Sequence, residues 1–323
     1  MRTVAIVNQK GGCGKTTTSI NLAATLAARG LRTLLVDLDP QGHCAAGLGV
    51  PEDRIETGIA EALLAEPVGG ENPERMLWEV ARNLRLAPST LSLAGLEAAR
   101  GGLAAVADRD ARLAKLLDRL ADRFDWCIVD CPPTIGLLTF NALRAADEAL
   151  VPVETGYFAL KGSERQVAAI EAMAARLGRP LPLHILPTLH RPEAKLASDL
   201  HAAIQRRHGA TTLPLSIREH EVLREAAGFG QPVTEYAPGS PACDDFLRLA
   251  DWLIEHPTAC TRAAAVVAET PLPAVPDPIE PTSQRVADLL ARMRSHAGIS
   301  PDVDPTMPPN APVDEPLRAE GHA

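Results

Sequence analysis

Aromatic residues make up only 3% of this 323-residue chain, so its core has to be built from Ala, Leu, Val and Ile rather than from stacked rings. A basic surplus is missing too: 41 acidic against 32 basic side chains leave a formal net charge of −9. That excludes a surface that is basic all round and confines any nucleic-acid contact to a local patch. The six cysteines, at 13, 44, 127, 131, 243 and 260, form no Cys-x-x-Cys pair. With no histidine cluster at zinc spacing beside them, they read as reduced thiols of a cytoplasmic protein. No run approaches the ~20 apolar residues of a membrane span. The apolar stretch 3–7 is too short for a signal peptide and leads into a glycine-rich loop.

What is present is an alternation. Short, β-branched, doubly apolar runs at 3–7, 33–37, 84–87, 126–130, 148–153, 183–186 and 211–215 read as strands. Helical spacing covers 16–29, 58–66, 91–123, 136–145, 161–177, 193–207, 219–227 and 241–256. Strands apolar on both faces and alternating with helices predict an α/β fold: a doubly wound, mostly parallel sheet with helices on both faces, over residues 1–256. After that the character changes. Residues 257–323 hold twelve of the 28 prolines and more acidic than basic side chains, which reads as a disordered, Pro-rich tail. One island in it, 283–297, carries Val286, Leu289, Leu290 and Met293 at helical spacing and reads as a short helix, a candidate for binding a partner.

Chemistry concentrates at the first loop, Lys10-Gly11-Gly12-Cys13-Gly14-Lys15-Thr16-Thr17. Glycines there let backbone N–H groups turn toward phosphate oxygens, Lys15 neutralises phosphate charge, and the Thr16 hydroxyl is placed for Mg²⁺. The helix that opens at 16 aims its positive end at the same point. The strict Gly-x-x-x-x-Gly-Lys-Thr spacing, which would begin at Gln9, is broken. Lys10 is a second cation five residues before Lys15 and has no evident work in its own loop. It reads as reaching the nucleotide of a second subunit, where a cation in trans would meet the charge developed in phosphoryl transfer. Asp37 and Asp39 end one apolar strand and Asp130 another, and carboxylates at such places suit Mg²⁺ and a water. Cys13 fills the variable slot of the loop; a redox role is conceivable because a helix N-terminus activates thiols. His43 and Cys44 follow the acidic pair, with no further metal ligand near them in sequence.

These blocks resemble the ParA/Soj branch of the ParA/MinD superfamily of P-loop ATPases. The loop from Lys10 to Thr17 looks like its deviant Walker A motif. Leu35-Val36-Asp37-Leu38-Asp39-Pro40-Gln41-Gly42 looks like its first switch. Ile128-Val129-Asp130-Cys131-Pro132-Pro133-Thr134-Ile135-Gly136 is similar to its Walker B strand and second switch. The resemblance spans roughly residues 1–255. It implies an ATP hydrolase, weak alone and stimulated by a partner, that uses ATP and Mg²⁺. It places Gly11, Gly12, Cys13, Gly14, Lys15, Thr16 and Thr17 on the nucleotide, with Thr16, Asp39 and Asp130 around the metal. It makes Asp39 the residue that positions the attacking water, beside Lys10 and Lys15. It further implies an ATP-dependent homodimer that sits on the nucleoid through nonspecific DNA contacts and positions a cargo with a ParB-like or adaptor protein. The basic residues available for DNA are Arg191, Lys195, Arg206, Arg207, Arg218 and Arg224. A MinD-like membrane ATPase should end in a basic amphipathic helix, which the last residues do not form. A metabolic P-loop enzyme is the remaining alternative.

Overall fold

The computed structural model describes residues 1–65, 72–96, 102–156 and 159–258. Seven strands form one sheet: β1 (Arg2–Ile6), β2 (Thr33–Asp37), β3 (Trp78–Ala81), β4 (Leu84–Ala87), β5 (Trp126–Asp130), β6 (Glu148–Glu154) and β7 (Leu183–Thr188). Their order is β3-β4-β2-β5-β1-β6-β7. Every pair is parallel except the β3–β4 hairpin at one edge. The helices are α1 (Lys15–Ala28), α2 (His43–Gly47), α3 (Ile59–Leu64), α4 (Ser92–Leu96), α5 (Arg112–Leu120), α6 (Leu137–Ala145), α7 (Ala159–Ala175), α8 (Lys195–His208), α9 (Glu221–Gly228), α10 (Val233–Tyr236) and α11 (Pro241–Glu255).

Side chains alternate across a strand, so one apolar strand feeds two cores. Ala5, Leu34, Val36, Cys127 and Val129 face the layer that includes α3, α5, α6 and α7. Val4, Ile6, Leu35, Trp126 and Ile128 face the layer of α1 and α11. The β2, β5 and β1 strands lie side by side with Asp37 level with Asp130 and Ile6 level with Asp130. This register brings the end of β1, and so the glycine-rich loop, together with the acidic ends of β2 and β5.

Two sequence expectations need correction. The helix expected over 91–123 is interrupted: α4, a 3₁₀ turn at Gly102–Ala105 and α5 replace it. Gly102 adopts φ +55°, and a Cβ there would come within 3.1 Å of the Gly95 carbonyl oxygen and the Leu96 backbone, so the chain folds back on α4 where a helix would run on. The strand expected over 211–215 reduces to one bridge between Thr212 and Ile185, with Leu213 N donating to Ile185 O at 2.9 Å. Pro214 has no N–H to continue a ladder. The short edge strand β3 had no expectation at all. The Pro-rich tail and the helix expected over 283–297 lie outside the described residues.

Candidate nucleotide site

The loop between β1 and α1 is a cradle open to solvent. Gly12 and Gly14 have φ +73° and +88°, the left-handed region that favours glycine. A Cβ built on Gly11, Gly12 or Gly14 meets nothing within 4 Å, so open space borders the loop at all three glycines. Gly14 is the N-cap of α1 and supplies no side-chain cap. The first N–H groups of that helix are therefore available to an anion. Two contacts tie the loop down from within: Lys15 Nζ donates to Lys10 O at 3.1 Å, and Cys13 Sγ donates to the same oxygen at 3.2 Å. A third comes from the far side of the sheet, where Thr188 Oγ1 at the end of β7 donates to Cys13 O at 2.8 Å.

The acidic strand ends meet beneath the cradle. Asp130 is fully buried. Its Oδ2 accepts from Thr16 Oγ1 at 2.7 Å and its Oδ1 from Ser19 Oγ at 2.9 Å. Burial is the largest influence on its carboxyl, and despite the two hydroxyl donors it is pushed up to about 6. Asp37 is fully buried as well and is raised well above the usual carboxylate range by burial first and by Asp130 second. Its oxygens accept from the backbone N–H groups of Asp39 and Cys44, each at 3.0 Å. Asp37 thus shapes the turn that follows β2. Asp39, one turn residue further on, accepts from Gln41 N at 3.0 Å and is 7% exposed.

Mg²⁺ fits this donor set. A hydroxyl and a carboxylate oxygen 2.7 Å apart at a phosphate cradle are hard oxygen ligands. Asp130 raises Asp37 and Asp39 raises Asp130, and a divalent cation beside such crowded acids relieves them. Thr16 and Asp130 would hold it, with Asp39 close by. When bound, it supplies neutralisation of phosphate charge. The residues of the chain do the rest. The cradle and Lys15 would take the phosphates, and the Asp39 carboxylate, which accepts from Gln41 N, would have oxygen lone pairs to offer a water.

Structure also adds residues that sequence reading passed over. Ser19 shares Asp130 with Thr16. Cys44, dismissed for want of neighbours in sequence, lies with its Sγ 3.6 Å from Asp130 Oδ2, and the ligand atoms of Asp37, Cys44 and Asp130 fall within 4.8 Å of one another. Cys13 is fully buried and burial pushes its thiol up, outweighing the lowering effect of Lys15, so the redox reading of that residue is withdrawn. Lys10 does have a partner in its own chain: Nζ pairs with Glu154 at the end of β6. A charged residue closing the apolar run Ala149–Val153 was the signal available for Glu154.

The six basic candidates for DNA are spread over the loops and helices after β7. Arg191 and Arg224 both pair with Glu219, Arg224 also with Glu221, and Arg207 with Glu164. The two guanidiniums hold the Glu219 carboxyl down at about 2. Arg218 is committed elsewhere. It makes a forked contact with Asp245, a fully buried carboxylate that also meets His220 and Arg248, and it donates to Pro241 O at 3.0 Å. Lys195 and Arg206 are exposed, and no ion pair of theirs is seen among the described residues. Arg218→Ala is expected to destabilise the fold by about 2 kcal/mol, because it leaves a buried charge short of its fork. That lowers the melting temperature by about 4–8 °C. A change below 1 °C in a thermal melt would contradict this placement.

A mostly parallel sheet with a glycine-rich loop after its first strand and acids closing the adjacent pair β2 and β5 defines a P-loop nucleoside triphosphatase. Comparison with known proteins narrows the class. Residues 1–182 match the AAA domain family model. The chain is 37% identical over 260 residues to the chromosome partitioning protein ParA of Myxococcus xanthus, covering 80% of this chain and 89% of that protein. It is 39% identical over 256 residues to the chromosome-partitioning ATPase Soj of Thermus thermophilus, covering 78% and 94%. Among solved structures, the cobyrinic acid a,c-diamide synthase of Mycobacterium smegmatis with bound ADP and magnesium aligns with a TM-score of 0.65 at 31% identity, over 79% of this chain and 95% of that one. The chain belongs to the ParA/Soj family of P-loop ATPases. It is a positioning ATPase that hydrolyses ATP with Mg²⁺. No helix among the described residues is long and apolar enough to cross a membrane.

Proposed function

We propose that ATP closes a homodimer of this chain across Lys10, that the dimer holds nonspecific DNA, and that hydrolysis, stimulated by a ParB-like or cargo-adaptor partner, releases it. Nucleoid association follows from the DNA contact. The observation that carries the reading is Lys10 itself. Its amino group pairs with Glu154 at the end of β6, and the two side chains are 43% and 32% exposed. Ion pairs so open to water contribute about 0–1 kcal/mol. A nucleotide phosphate on a facing subunit therefore outcompetes Glu154 at little cost, and the resting pair parks the lysine rather than fixing it. ATP then acts as part of the interface, and its hydrolysis sets the lifetime of the dimer.

DNA contact rests on Lys195 and Arg206, the two of the six candidates with no ion pair among the described residues, with Arg191, Arg207 and Arg224 in exposed pairs that a phosphate can displace. Retention of the full chain on duplex DNA is expected with ATP and not with ADP. Changing Lys195 and Arg206 together to Ala should weaken it severalfold and flatten its salt dependence by about two counterions. Equal retention with ATP and ADP would sink the DNA part of the reading. A second reading has one observation behind it, the 31% identity to a solved cobyrinic acid a,c-diamide synthase. An ATP turnover that depends on a small carboxylic acid and ammonia or glutamine would favour that one.

A further inference from the structure

The other end of the sheet carries a second concentration of chemistry. A cleft of about 500 Å³ opens at the N-terminal ends of β2, β4 and β5, away from the nucleotide loop at their carboxyl ends. Four arginines line it: Arg32 before β2, Arg82 in the β3–β4 turn, Arg85 in β4 and Arg123 before β5. The turn is set by Asn83, which takes φ +63° and donates through Nδ2 to Ala27 O, while its carbonyl accepts from Thr33 N at 2.8 Å. Arg82 is thereby presented at the tip of the hairpin.

Not all of these guanidiniums are committed. Arg32 is: it contacts both oxygens of Asp125 and donates to Asp122 O, and it forms a fixed wall. Arg85 meets Glu79 at 2.9 Å and Arg123 meets Glu74 at 2.5 Å. In those pairs Glu79 and Arg123 are 65% and 64% exposed, so water already competes for them and they hold weakly. Arg82 is exposed with no ion pair seen among the described residues. Three planar forks with unspent N–H donors thus converge on one concave space, and a fork of this shape matches phosphate oxygens two at a time.

We propose that this cleft is a second anion site, which takes a small ligand bearing several phosphates and uses Arg82, Arg85 and Arg123. The phosphates replace Glu74 and Glu79, whose side chains turn out into water. A volume of about 500 Å³ suits a ligand of nucleotide size, and a concave wall of this kind is poorly matched to a rigid duplex. Open α/β sheets bind ligands at the carboxyl ends of their strands, so this site is independent of the ATPase cycle in its location.

The test uses the full chain with Lys15→Ala, free of Mg²⁺, so that the nucleotide loop does not compete. Inorganic tripolyphosphate is titrated calorimetrically. One saturable site per chain is expected, weakened at least tenfold by adding Arg82→Ala and Arg123→Ala. Arg82→Gln alone, at an exposed turn position, should weaken it severalfold without moving the melting temperature of the ligand-free chain. ATP turnover should be unchanged when the arginine changes are made with Lys15 intact. Absence of a saturable site, or binding indifferent to the arginine changes, overturns the proposal. So does loss of duplex-DNA retention in the arginine variants with tripolyphosphate binding intact, since the cleft would then be a nucleic-acid contact.

Discussion

Asp39→Ala should lower ATP turnover at least a hundredfold while leaving ATP affinity within a few-fold of the parent chain. The reason lies in the division of labour at the strand ends. Asp37 is consumed by two backbone N–H groups and holds the turn. Asp130 is committed to Thr16, Ser19 and the place where Mg²⁺ would sit. Asp39 accepts only the Gln41 N–H seen here, so it keeps lone pairs for a water. A positioned base of this kind contributes about 10²–10⁴ in rate. Binding should survive, because none of the cradle contacts passes through Asp39. Single-turnover hydrolysis beside equilibrium ATP binding measures both quantities. A turnover within tenfold of the parent would remove Asp39 from the role given to it.

Lys15→Ala should act earlier in the cycle and abolish nucleotide binding at working concentrations. Lys15 is 7% exposed and its amino group is already drawn onto the loop by Lys10 O. The phosphate contacts of such a lysine are charge-assisted bonds of about 1.5–3 kcal/mol each. Losing two weakens ATP by at least a hundredfold. The same substitution cuts one of the ties that shape the cradle, so the effect should not fall below that figure. Titration with a fluorescent ATP analogue reads it directly; a loss under fivefold would mean that the backbone N–H groups alone hold the phosphates.

The cradle was legible because its chemistry is contiguous. Glycines, lysine and threonine follow one another, and their spacing alone predicts the loop. The acids were legible for a related reason: Asp37 and Asp130 each close an apolar strand, and only the register of β2 on β5 was needed to bring them level. The rest of the site comes from distant sequence. Glu154 lies 144 residues from Lys10, and Thr188 lies 175 from Cys13. Cys44 reaches Asp130 only because the turn after β2 folds back under Asp37. No local pattern announces such contacts. The reasoning that Lys10 has no work in its own subunit failed for this reason, although the pair with Glu154 is weak enough to leave the dimer reading standing. The same limit hid the arginine cleft, whose residues 32, 82, 85 and 123 come from three separate segments. Helical spacing of leucines masked the break at Gly102, because periodicity does not register one residue in a left-handed conformation.

If ATP is shared between two subunits through Lys10, removing that lysine removes the dimer and spares the nucleotide. Sedimentation of the Lys10→Ala chain, at a concentration where the parent chain dimerises with a nonhydrolysable ATP analogue, tests this most directly. The variant is expected to stay monomeric with the analogue bound and with an affinity within a few-fold of the parent. A dimer that forms as readily without Lys10 would contradict the account.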